Sequence, residues 1–561
     1  MGEPQFDCDV VVIGSGFGGS VSALRMSEKG YKVIVVERGK RWAGKDFPKT
    51  NWNLFRSLWA PLAYCVGILK ITLLDDVLVL SGVGVGGGSL VYANTLLVPP
   101  KPFFTDPQWA SLSVDWQAEL QPYYARAKLM LGAVPNPVFG PADRVLREVA
   151  VEMGREHTFK TTDVGVFFGE PGRTVADPYF RGNGPDRTGC HQCGACMTGC
   201  KHGAKNTLDK NYLFLAERLG AQVRAESLVT ALRCIGGPDR RGQDGYEVEI
   251  RPSIGLSGLF GKTTVLRARE VVCSGGVLGT LPLLLKSKDC GDLPHLPAVL
   301  GHQLRTNSEA ICGAMGSHGG EDFSKGVAIT SGAFFDEHTH IEVVRYGEGH
   351  DALGLLATLL TDGGGKIPRW LRWVGTALAH PLQFATTCWK FGWAKHGIIL
   401  LVMQTLDNSL TGVWKRRWWW PFSKGLRTQL PAGRVANPTY IPVGNHVARR
   451  LAEKTGGVPM SAINEVLLDV PTTAHILGGC PIGPEGKGVV DAQQRVHGYQ
   501  GLRICDGSVM PANLGVNPSL TITALAEHAM DAVPTKLQAA PFAMAGAVEV
   551  WAGHFIEKAQ G

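Results

Sequence analysis

The feature that most constrains this 561-residue chain is a glycine-rich turn near its N-terminus. The stretch DVVVIGSGFGGSVSALRMSEKGYKVIVVERG, which starts at Asp9, has the pattern of strand, turn, helix and strand. Gly14, Gly16 and Gly19 form G-x-G-x-x-G directly after the first strand, where glycine lets a pyrophosphate approach the backbone at a helix N-terminus. Glu37, which ends the second strand, is placed to accept hydrogen bonds from ribose hydroxyls. The sequence therefore predicts a dinucleotide-binding unit.

Later segments extend this prediction. A second glycine-rich stretch, SGVGVGGGSLVYAN, covers residues 81–94, and EVVCSGGVLGT covers residues 270–280. Near the C-terminus, LRICDG predicts a strand that ends at Asp506. Asn517 and Pro518 then precede an apolar-periodic stretch, with Asn expected as the N-cap and Pro at the first helical position.

Length and composition bound the class of protein. A chain of 561 residues exceeds the size at which one core stops growing, so two or more domains are expected. The net charge of +7 comes without a concentrated basic face or a nucleic-acid-binding module, so we expect no nucleic-acid partner. No apolar run reaches about 18 residues, which argues against a membrane-spanning helix. The N-terminus lacks a signal-peptide pattern, and we expect a cytoplasmic protein whose 13 cysteines are not paired in disulfides.

Together these motifs resemble the glucose–methanol–choline (GMC) oxidoreductases, and within that family the bacterial cholesterol oxidases that hold FAD non-covalently. NTLDKNYL at residues 206–213 and AHILGG at residues 474–479 add to the resemblance, which covers the chain to about Asp531. It implies an α/β (α+β) fold, in which a Rossmann-like FAD-binding domain is assembled from separated segments and a mixed-sheet substrate domain is inserted between them. The expected boundaries are 1–46, 219–310 and 465–535 for the FAD-binding domain, 47–218 and 311–464 for the substrate-binding domain, and 536–561 for a C-terminal tail.

The resemblance also assigns a set of residues to FAD. Asp506 would meet the ribityl or phosphate region, and the glycines after Gly82 would let the backbone pass close to the isoalloxazine. Asn307, in RTNSE, is a further candidate for the flavin wall or an access path. The predicted cofactor-binding residues are Gly14, Gly16, Gly19, Glu37, Gly86, Gly87, Gly88, Ser89, Asn94, Asp506, Asn517 and Pro518.

Two residues match the active-site pair of the family. His475, in TTAHILGG, would accept or share the hydroxyl proton of an alcohol, and Asn517, in GVNPS, would hold the substrate oxygen. The alternative is a buried structural histidine and a helix-capping asparagine. Steroid oxidases of the family also use a carboxylate to shift a ring double bond. Its position points to Asp351, with Glu342 and Glu348 as alternatives, and a surface acid is an equally good interpretation of Asp351.

A cysteine run interrupts the flavoprotein pattern. Cys190, Cys193, Cys196 and Cys200 have the spacing C-x₂-C-x₂-C-x₃-C of ferredoxin loops, although Lys201 follows in place of the usual proline. The spacing predicts a [4Fe-4S] or [3Fe-4S] cluster, as in some FAD-dependent sugar dehydrogenases of the family. A zinc site and a packed set of free thiols are the alternatives.

Two segments combine tryptophan with basic residues. Residues 368–397 have the composition of a membrane-interface anchor, and we expect peripheral membrane contact there. For Trp418–Trp420 we favour an ordinary hairpin of the substrate domain.

The sequence thus predicts FAD-dependent oxidation of a secondary alcohol on a sterol or similar bulky apolar molecule. Electrons would leave through the cluster to an acceptor protein. The alternatives are an oxygen-dependent oxidase without a cluster, a flavin dehydrogenase for another alcohol, and a non-catalytic electron-transfer flavoprotein. An NAD-dependent enzyme is disfavoured.

Overall fold

The computed structural model describes residues 5–110, 112, 114–255, 258, 261–317, 319–417 and 420–536. Its first sheet places the N-terminal strand in the middle, with parallel neighbours on both sides and an antiparallel extension at one edge. In spatial order its strands are β12 (Gln222–Arg224), β2 (Val33–Val36), β1 (Cys8–Ile13), β15 (Thr264–Cys273), β14 (Tyr246–Pro252) and β13 (Ser227–Cys234), with β25 (Leu502–Ile504) also paired to β15.

The described residues form the following α-helices, given in chain order. They are α1 (Phe17–Glu28), α2 (Leu54–Ser57), α3 (Lys101–Phe104), α4 (Pro107–Ala110), α5 (Trp116–Met130), α6 (Pro141–Glu152), α7 (Tyr212–Arg218), α8 (Val277–Asp289), α9 (Arg369–Ala379), α10 (Pro381–Cys388), α11 (Trp393–His396), α12 (Pro442–Lys454), α13 (Ile463–Leu467) and α14 (Ser519–Asp531).

Burial explains the sequence pattern of the first sheet. The apolar runs of β1 and β2 are buried along their length because helices cover the parallel part of the sheet. β14 instead alternates between buried and more exposed residues, as expected for an antiparallel strand with one solvated face. Helices α1 and α14 pack against each other, so two helix N-termini lie at one end of this sheet.

The second sheet is antiparallel throughout. Its strands, in spatial order, are β19 (Ala357–Leu359), β23 (Val458–Ala462), β16 (Ala310–Met315), β20 (Gly397–Gln404), β18 (Thr339–Val344), β17 (Ile329–Phe334) and β8 (Lys160–Thr161). One face packs on α6 and α12. The other face, with Ile329, Val344 and Leu401, is turned towards the first sheet's glycine turns.

Five small sheets complete the fold. They are β3 (Trp59–Ala60) with β4 (Cys65–Val66), β5 (Leu69–Leu73) with β6 (Leu78–Gly82) and β24 (Thr472–Thr473), β7 (Ala133–Pro135) with β9 (Asp163–Gly165), β10 (Thr174–Val175) with β11 (Arg187–Thr188), and β21 (Thr411–Arg417) with β22 (Trp420–Gln429). The parallel pairing of β24 with β6 brings the chain before His475 beside the second glycine-rich stretch.

The expected α/β (α+β) class is confirmed, with one difference in detail, because the second sheet is antiparallel and not mixed. The strands of the first large sheet lie within 1–46, 219–310 and 465–535, and those of the second lie within 47–218 and 311–464, except that β16 begins at Ala310. However, α5 and α7, from the expected substrate segment 47–218, pack on α14 and α1 of the other domain. The exact domain boundaries stay a prediction.

The remaining sequence predictions concern a membrane-spanning helix, the hairpin at Trp418–Trp420 and the C-terminal tail. Among the described residues, no helix has the length and hydropathy needed to cross a membrane. The hairpin β21–β22 is present where one was expected, but the side chains of Trp418–Trp420 lie outside the described part of the chain, as do residues 537–561 of the expected tail.

Candidate active site

A single cavity of about 640 Å³ runs from the N-terminal glycine turn to His475 and Asn517. Its lining combines the turn at residues 14–18, the second glycine stretch and the inner face of the second sheet. The cavity therefore joins the two large sheets, and residues far apart in the chain meet along it.

The G-x-G-x-x-G glycines each have a separate steric reason. Gly14 has φ +101°, and a Cβ there would lie 2.4 Å from the Ser274 carbonyl oxygen. A Cβ at Gly19 would lie 2.1 Å from the Gly14 carbonyl oxygen, so this glycine permits the close packing of helix on turn. At Gly16, the N-cap of α1, a Cβ would meet no described atom within 4 Å and would project into the cavity.

Glu37 is buried at the edge of the cavity and already has three donors. Its Oε2 accepts hydrogen bonds from the Ser15 hydroxyl at 2.7 Å and the Ser15 amide at 3.2 Å, and its Oε1 accepts from the Gly39 amide at 2.8 Å. These bonds hold the turn against the second strand. The predicted contact with a ribose stays a prediction.

The second glycine stretch divides into lining and supporting residues. Gly87 and Gly88 line the cavity, and a Cβ at Gly87 would lie 2.6 Å from the Gly16 Cα atom. Gly86, with φ +103°, turns the chain, and its carbonyl accepts a hydrogen bond from the buried Ser89 hydroxyl at 2.6 Å. Asn94 is fully buried with φ +72° and lies outside the lining. Gly86, Ser89 and Asn94 therefore lie outside the cavity lining, as Gly19 does, and they support the turns that carry the lining residues.

The C-terminal segment reaches the other side of the same cavity. Asp506 lines it and accepts hydrogen bonds from the Ser508 amide at 2.8 Å and the Gly276 amide at 2.9 Å, which ties β25 to the start of α8. Helix α14 begins at Ser519, so Pro518 is its N-cap and Asn517 precedes the cap. The expected N-cap was thus one residue early, because Asn517 uses its side chain elsewhere.

His475 is fixed by a carboxylate that the sequence did not reveal. Its Nδ1 contacts Oε1 of Glu309, which is buried and whose Oε2 accepts from the Ala474 amide at 2.8 Å and the Thr473 hydroxyl at 2.9 Å. This contact orients the ring so that Nε2 is the nitrogen left for the cavity. Burial alone would lower the pKa of His475, but the facing carboxylates of Glu309 and Glu342 outweigh it and raise the pKa.

Asn517 meets a second carboxylate. Its Nδ2 donates to Oε2 of Glu342 at 3.2 Å, while its Oδ1 and the Glu342 Oε1 have no hydrogen-bond partner within the described structure. Glu342 is fully buried on β18, and burial raises its pKa to about 7. His475 and Asn517 therefore place a basic nitrogen and an unpartnered amide oxygen at one end of the cavity, and the easily protonated carboxyl of Glu342 lies directly behind Asn517.

Asn307 links the loop before Asn517 to the carboxylate of Glu309. It has φ +59°, its Oδ1 accepts from the Gly515 amide at 2.8 Å, and its Nδ2 donates to the Val516 carbonyl at 3.0 Å. The same Nδ2 reaches Glu309 Oε1 at 3.4 Å. Asn307 is therefore a positioning residue for the loop that carries Asn517, and it lies outside the cavity lining.

The assignment of Asp351 needs correction. Its Oδ1 accepts from the Ala394 amide at 2.8 Å and its Oδ2 from the Gly392 amide at 3.1 Å, so both oxygens are used at the start of α11. Glu348 is exposed and pairs with Lys325 at 3.1 Å. Glu342, the remaining alternative, is the carboxylate beside Asn517. All three acids lie within ten residues of the sequence, but only Glu342 lies on β18, whereas Glu348 and Asp351 follow the strand in a loop.

The cysteine run also needs correction. Cys190 packs in a small apolar cluster, where burial raises its pKa to about 12, and Cys196 and Cys200 pack against the same cluster, whereas Cys193 is exposed. In the described chain, no three His, Cys, Asp or Glu side chains are grouped so that they could hold a metal ion. The four thiols therefore do not fit an iron–sulfur cluster or a zinc ion, and we derive no electron path through them.

The run nevertheless forms part of the cavity wall. Met197 and Thr198 line the cavity. The turn that carries them is tied to the second glycine stretch by the buried Lys205, whose Nζ donates to the Cys196 carbonyl at 2.8 Å and the Leu90 carbonyl at 2.9 Å. Burial lowers the pKa of Lys205 to about 7. The run is thus a structural element beside the cavity.

These features fit a bound dinucleotide flavin. The open space at Gly16, the two helix N-termini at residues 16–18 and 518–519, and the unpartnered Asn517 amide oxygen are all at the cavity. Eight of the predicted cofactor-binding residues line the cavity, namely Gly14, Gly16, Glu37, Gly87, Gly88, Asp506, Asn517 and Pro518.

Comparisons with known proteins agree with this geometry. Residues 9–47 match the model of an FAD binding domain, and residues 181–307 and 427–526 match two models of the GMC oxidoreductase family. A cholesterol oxidase of Acinetobacter baumannii is 46% identical over 95% of both chains. A cholesterol oxidase of Mycobacterium tuberculosis is 48% identical over 94% of this chain and 92% of its own.

The fold has a solved counterpart as well. The crystal structure of pyridoxine 4-oxidase from Mesorbium loti matches 94% of this chain and 99% of its own, with a TM-score of 0.58 and 15% sequence identity. That likeness shows the fold alone. The family models and the two relatives, together with the cavity, establish that this chain is an FAD-dependent enzyme of the GMC oxidoreductase family.

Proposed function

We propose that this enzyme oxidises the secondary hydroxyl of a sterol, or of a similarly bulky apolar alcohol, to the ketone and uses oxygen as the electron acceptor. The observation that carries the proposal is the meeting of His475–Glu309 and Asn517–Glu342 at one end of a cavity with apolar walls. The relatives of Acinetobacter baumannii and Mycobacterium tuberculosis are both named cholesterol oxidases, which supports the substrate class and the acceptor.

The walls suit a rigid hydrocarbon substrate. Ile311, Ile329, Val344, Ile399 and Leu401 come from the inner face of the second sheet and line the cavity. An apolar ring system would gain free energy by leaving water for this surface, while its one hydroxyl reaches the polar end.

FAD, when bound, supplies the acceptor for the hydride of the carbinol carbon and returns the two electrons to oxygen as hydrogen peroxide. His475 Nε2 receives the hydroxyl proton, and the Glu309 carboxylate stabilises the resulting imidazolium. Asn517 holds the substrate oxygen in line. The apolar walls keep water from the polar pairs.

The test measures ketone and hydrogen peroxide from a detergent-dispersed 3β-hydroxysterol with the FAD-loaded enzyme in air. We expect the two products in a one-to-one ratio, and loss of both in His475→Gln but not in the control His446→Gln, whose side chain is exposed on α12. Turnover only with an artificial acceptor would overturn the oxygen assignment. Turnover of linear primary alcohols without any sterol would overturn the substrate class.

A second activity, migration of a ring double bond, is favoured by Glu342. Its pKa of about 7 and its Oε1, which has no hydrogen-bond partner among the described residues and lies 3.9 Å from His340 Nδ1, suit a group that takes a proton from one carbon and returns it to another. Since the carboxylate is the base, isomerisation should rise as the pH increases through about 7.

Product analysis tests this activity. With a sterol that carries a ring double bond, Glu342→Gln should accumulate the unshifted ketone while oxidation continues, and Asp351→Asn should still give the shifted ketone. Equal amounts of shifted ketone from the native enzyme and Glu342→Gln would assign the isomerisation elsewhere.

A further inference from the structure

Two buried polar side chains lie next to each other on β18, and the atoms that face each other are unpartnered. His340 and Glu342 are two positions apart on the strand, so their side chains lie on the same face of the sheet. Nδ1 of His340 lies 3.9 Å from Oε1 of Glu342, and neither atom has a hydrogen-bond partner within the described structure. The oxidation assigned to His475 and Asn517 makes no use of His340.

Gly332 makes room for both side chains. It lies opposite Glu342 in the pairing of β17 with β18. A Cβ at Gly332 would lie 2.7 Å from His340 Nε2 and 3.1 Å from Glu342 Cγ, so a larger residue would push the two side chains aside. The ring of Phe334 packs on that of His340 with centroids 4.6 Å apart. Packing therefore holds the imidazole beside the carboxyl, and a shift of about 1 Å brings Nδ1 and Oε1 to hydrogen-bond distance.

The pair leads away from the cavity. Further along the chain, Val344 and Tyr346 line the cavity, whereas Glu342 and His340 lie outside the lining. His340 is nearer to the turn that joins β17 to β18, where residues 336–338 are exposed. Phe334, which packs on its ring, is only partly buried. One half-buried ring therefore separates His340 from solvent.

The charged groups that act on this pair come from the active site. Burial raises the pKa of Glu342 to about 7, and the Glu309 carboxylate raises it further. The Asn517 amide and His475 lower the same pKa. A carboxyl of this kind changes its charge near neutral pH, so a proton must reach a side chain that is fully buried.

The surroundings of His340 keep its ring neutral. The residues opposite His340 and Glu342 on β20 are Met403 and Leu401, which carry no charge. Burial alone lowers the pKa of His340 to about 4. At pH 7 one ring nitrogen therefore carries a proton and the other is free. Such a ring can take up a proton at one nitrogen while it gives another away.

We propose that His340 is a positioning residue for Glu342 and relays its proton to and from solvent on the side away from the cavity. When the pH falls, Nε2 takes a proton from water, the Nδ1–H bond breaks and an O–H bond forms at Glu342 Oε1. A rise in pH reverses both transfers. The two are coupled because burial disfavours an imidazolium between them.

The relay has a use during turnover. An apolar substrate in the cavity excludes water from the side of Asn517, and the protonation state of Glu342 is then set through His340. Only this use rests on the proposed function, since the relay itself needs no substrate.

The test follows the protonation of Glu342 by time-resolved infrared spectroscopy of the FAD-loaded enzyme. Light releases a caged proton and takes the solution from about pH 8 to about pH 6, a range in which ordinary carboxylates stay ionised. The carboxyl band that is absent in Glu342→Gln belongs to Glu342. We expect this band to rise on the order of tenfold more slowly, or slower still, in His340→Phe than in the native enzyme.

A second variant separates the relay from packing. His340→Gln keeps a side chain that can hydrogen-bond the carboxyl but cannot pass a proton, and it should be as slow as His340→Phe. The control His338→Phe changes an exposed histidine in the neighbouring turn and should keep the native rate. Flavin absorbance of each variant checks that it is folded and loaded.

Three results would overturn the proposal. One is a native rate in His340→Gln, and another is a Glu342 band that does not change in the native enzyme. The third is a changed final amplitude at the native rate, because His340 would then only hold the carboxyl. Double-bond migration in a supplied unshifted steroid ketone is measured separately, so its absence would count against the proposed function alone.

Discussion

The His475–Asn517 site and the cysteine run differ in how their residues are distributed along the chain and in what the structure does with them. The site gathers four polar side chains from distant segments, and each is oriented by another. The run keeps four cysteines within eleven residues, of which Cys190, Cys196 and Cys200 pack at one apolar cluster while Cys193 is exposed, and among the described residues they form no group that could hold a metal ion. Spacing in the sequence is thus a weaker guide to convergence than the elements that carry each residue.

The largest expected effect comes from removing the imidazole of the site. His475→Gln should lower the rate of substrate-driven flavin reduction about 10³-fold, because no group then receives the hydroxyl proton. Stopped-flow absorbance at saturating substrate measures this. A variant that reduced its flavin at the native rate would show that the site, like the cysteine run, is only structural.

The next effect concerns the partner that orients this histidine. Glu309→Gln should lower kcat by about 10²-fold. The Glu309 carboxylate raises the pKa of His475, and activity that needs the neutral ring is lost as the pH falls through that raised pKa. Without the carboxylate the pKa drops, so the acid limb of the pH–rate profile should move to lower pH.

The control for this change is Glu348→Gln. Glu348 is an exposed carboxyl that pairs with Lys325 on the surface. Its substitution should leave both kcat and the profile in place. An unmoved acid limb in Glu309→Gln would mean that Glu309 only supports the fold.

A smaller effect should follow from loosening the loop behind the site. Asn307→Gly keeps the positive φ accessible but removes the bonds to Gly515 and Val516, and it should lower the free energy of unfolding by about 2 kcal/mol. We expect kcat to fall roughly tenfold with the flavin content unchanged, because Asn517 is held less firmly. Thermal melting and flavin absorbance measure the two parts. Loss of stability at native kcat would separate Asn307 from catalysis.

The smallest effect should come from the cysteine run. Cys193→Ser alters an exposed side chain, and we expect native kcat and melting temperature within error. Iron and acid-labile sulfide, measured in protein purified without air, should be far below one per flavin. Three to four irons per flavin would restore the cluster interpretation and reverse the comparison.

Local patterns were the most predictable part of the site. The turn at Gly14–Gly19 depends on backbone conformation and close approach within one βαβ unit, so a short stretch of sequence carries its signal. The carboxylate was not predictable in this way. Asp351, Glu342 and Glu348 lie within ten residues, and the sequence did not show that β18 ends at Val344 and so carries only Glu342. The RTNSE segment contained Glu309, but nothing in its pattern linked it to His475.

The sequence by itself determined the dinucleotide turn, the family and the identity of His475 and Asn517 as family matches, because each depends on a contiguous motif. Only the tertiary structure decided that Glu309 and Glu342 lie beside His475 and Asn517, that Asp351 serves the start of α11, and that the cysteines form no group, within the described residues, that could hold a metal ion. The physical reason is that such contacts depend on strand register and on the packing of two sheets. Both arise from long-range burial of apolar surface and not from spacing along the chain.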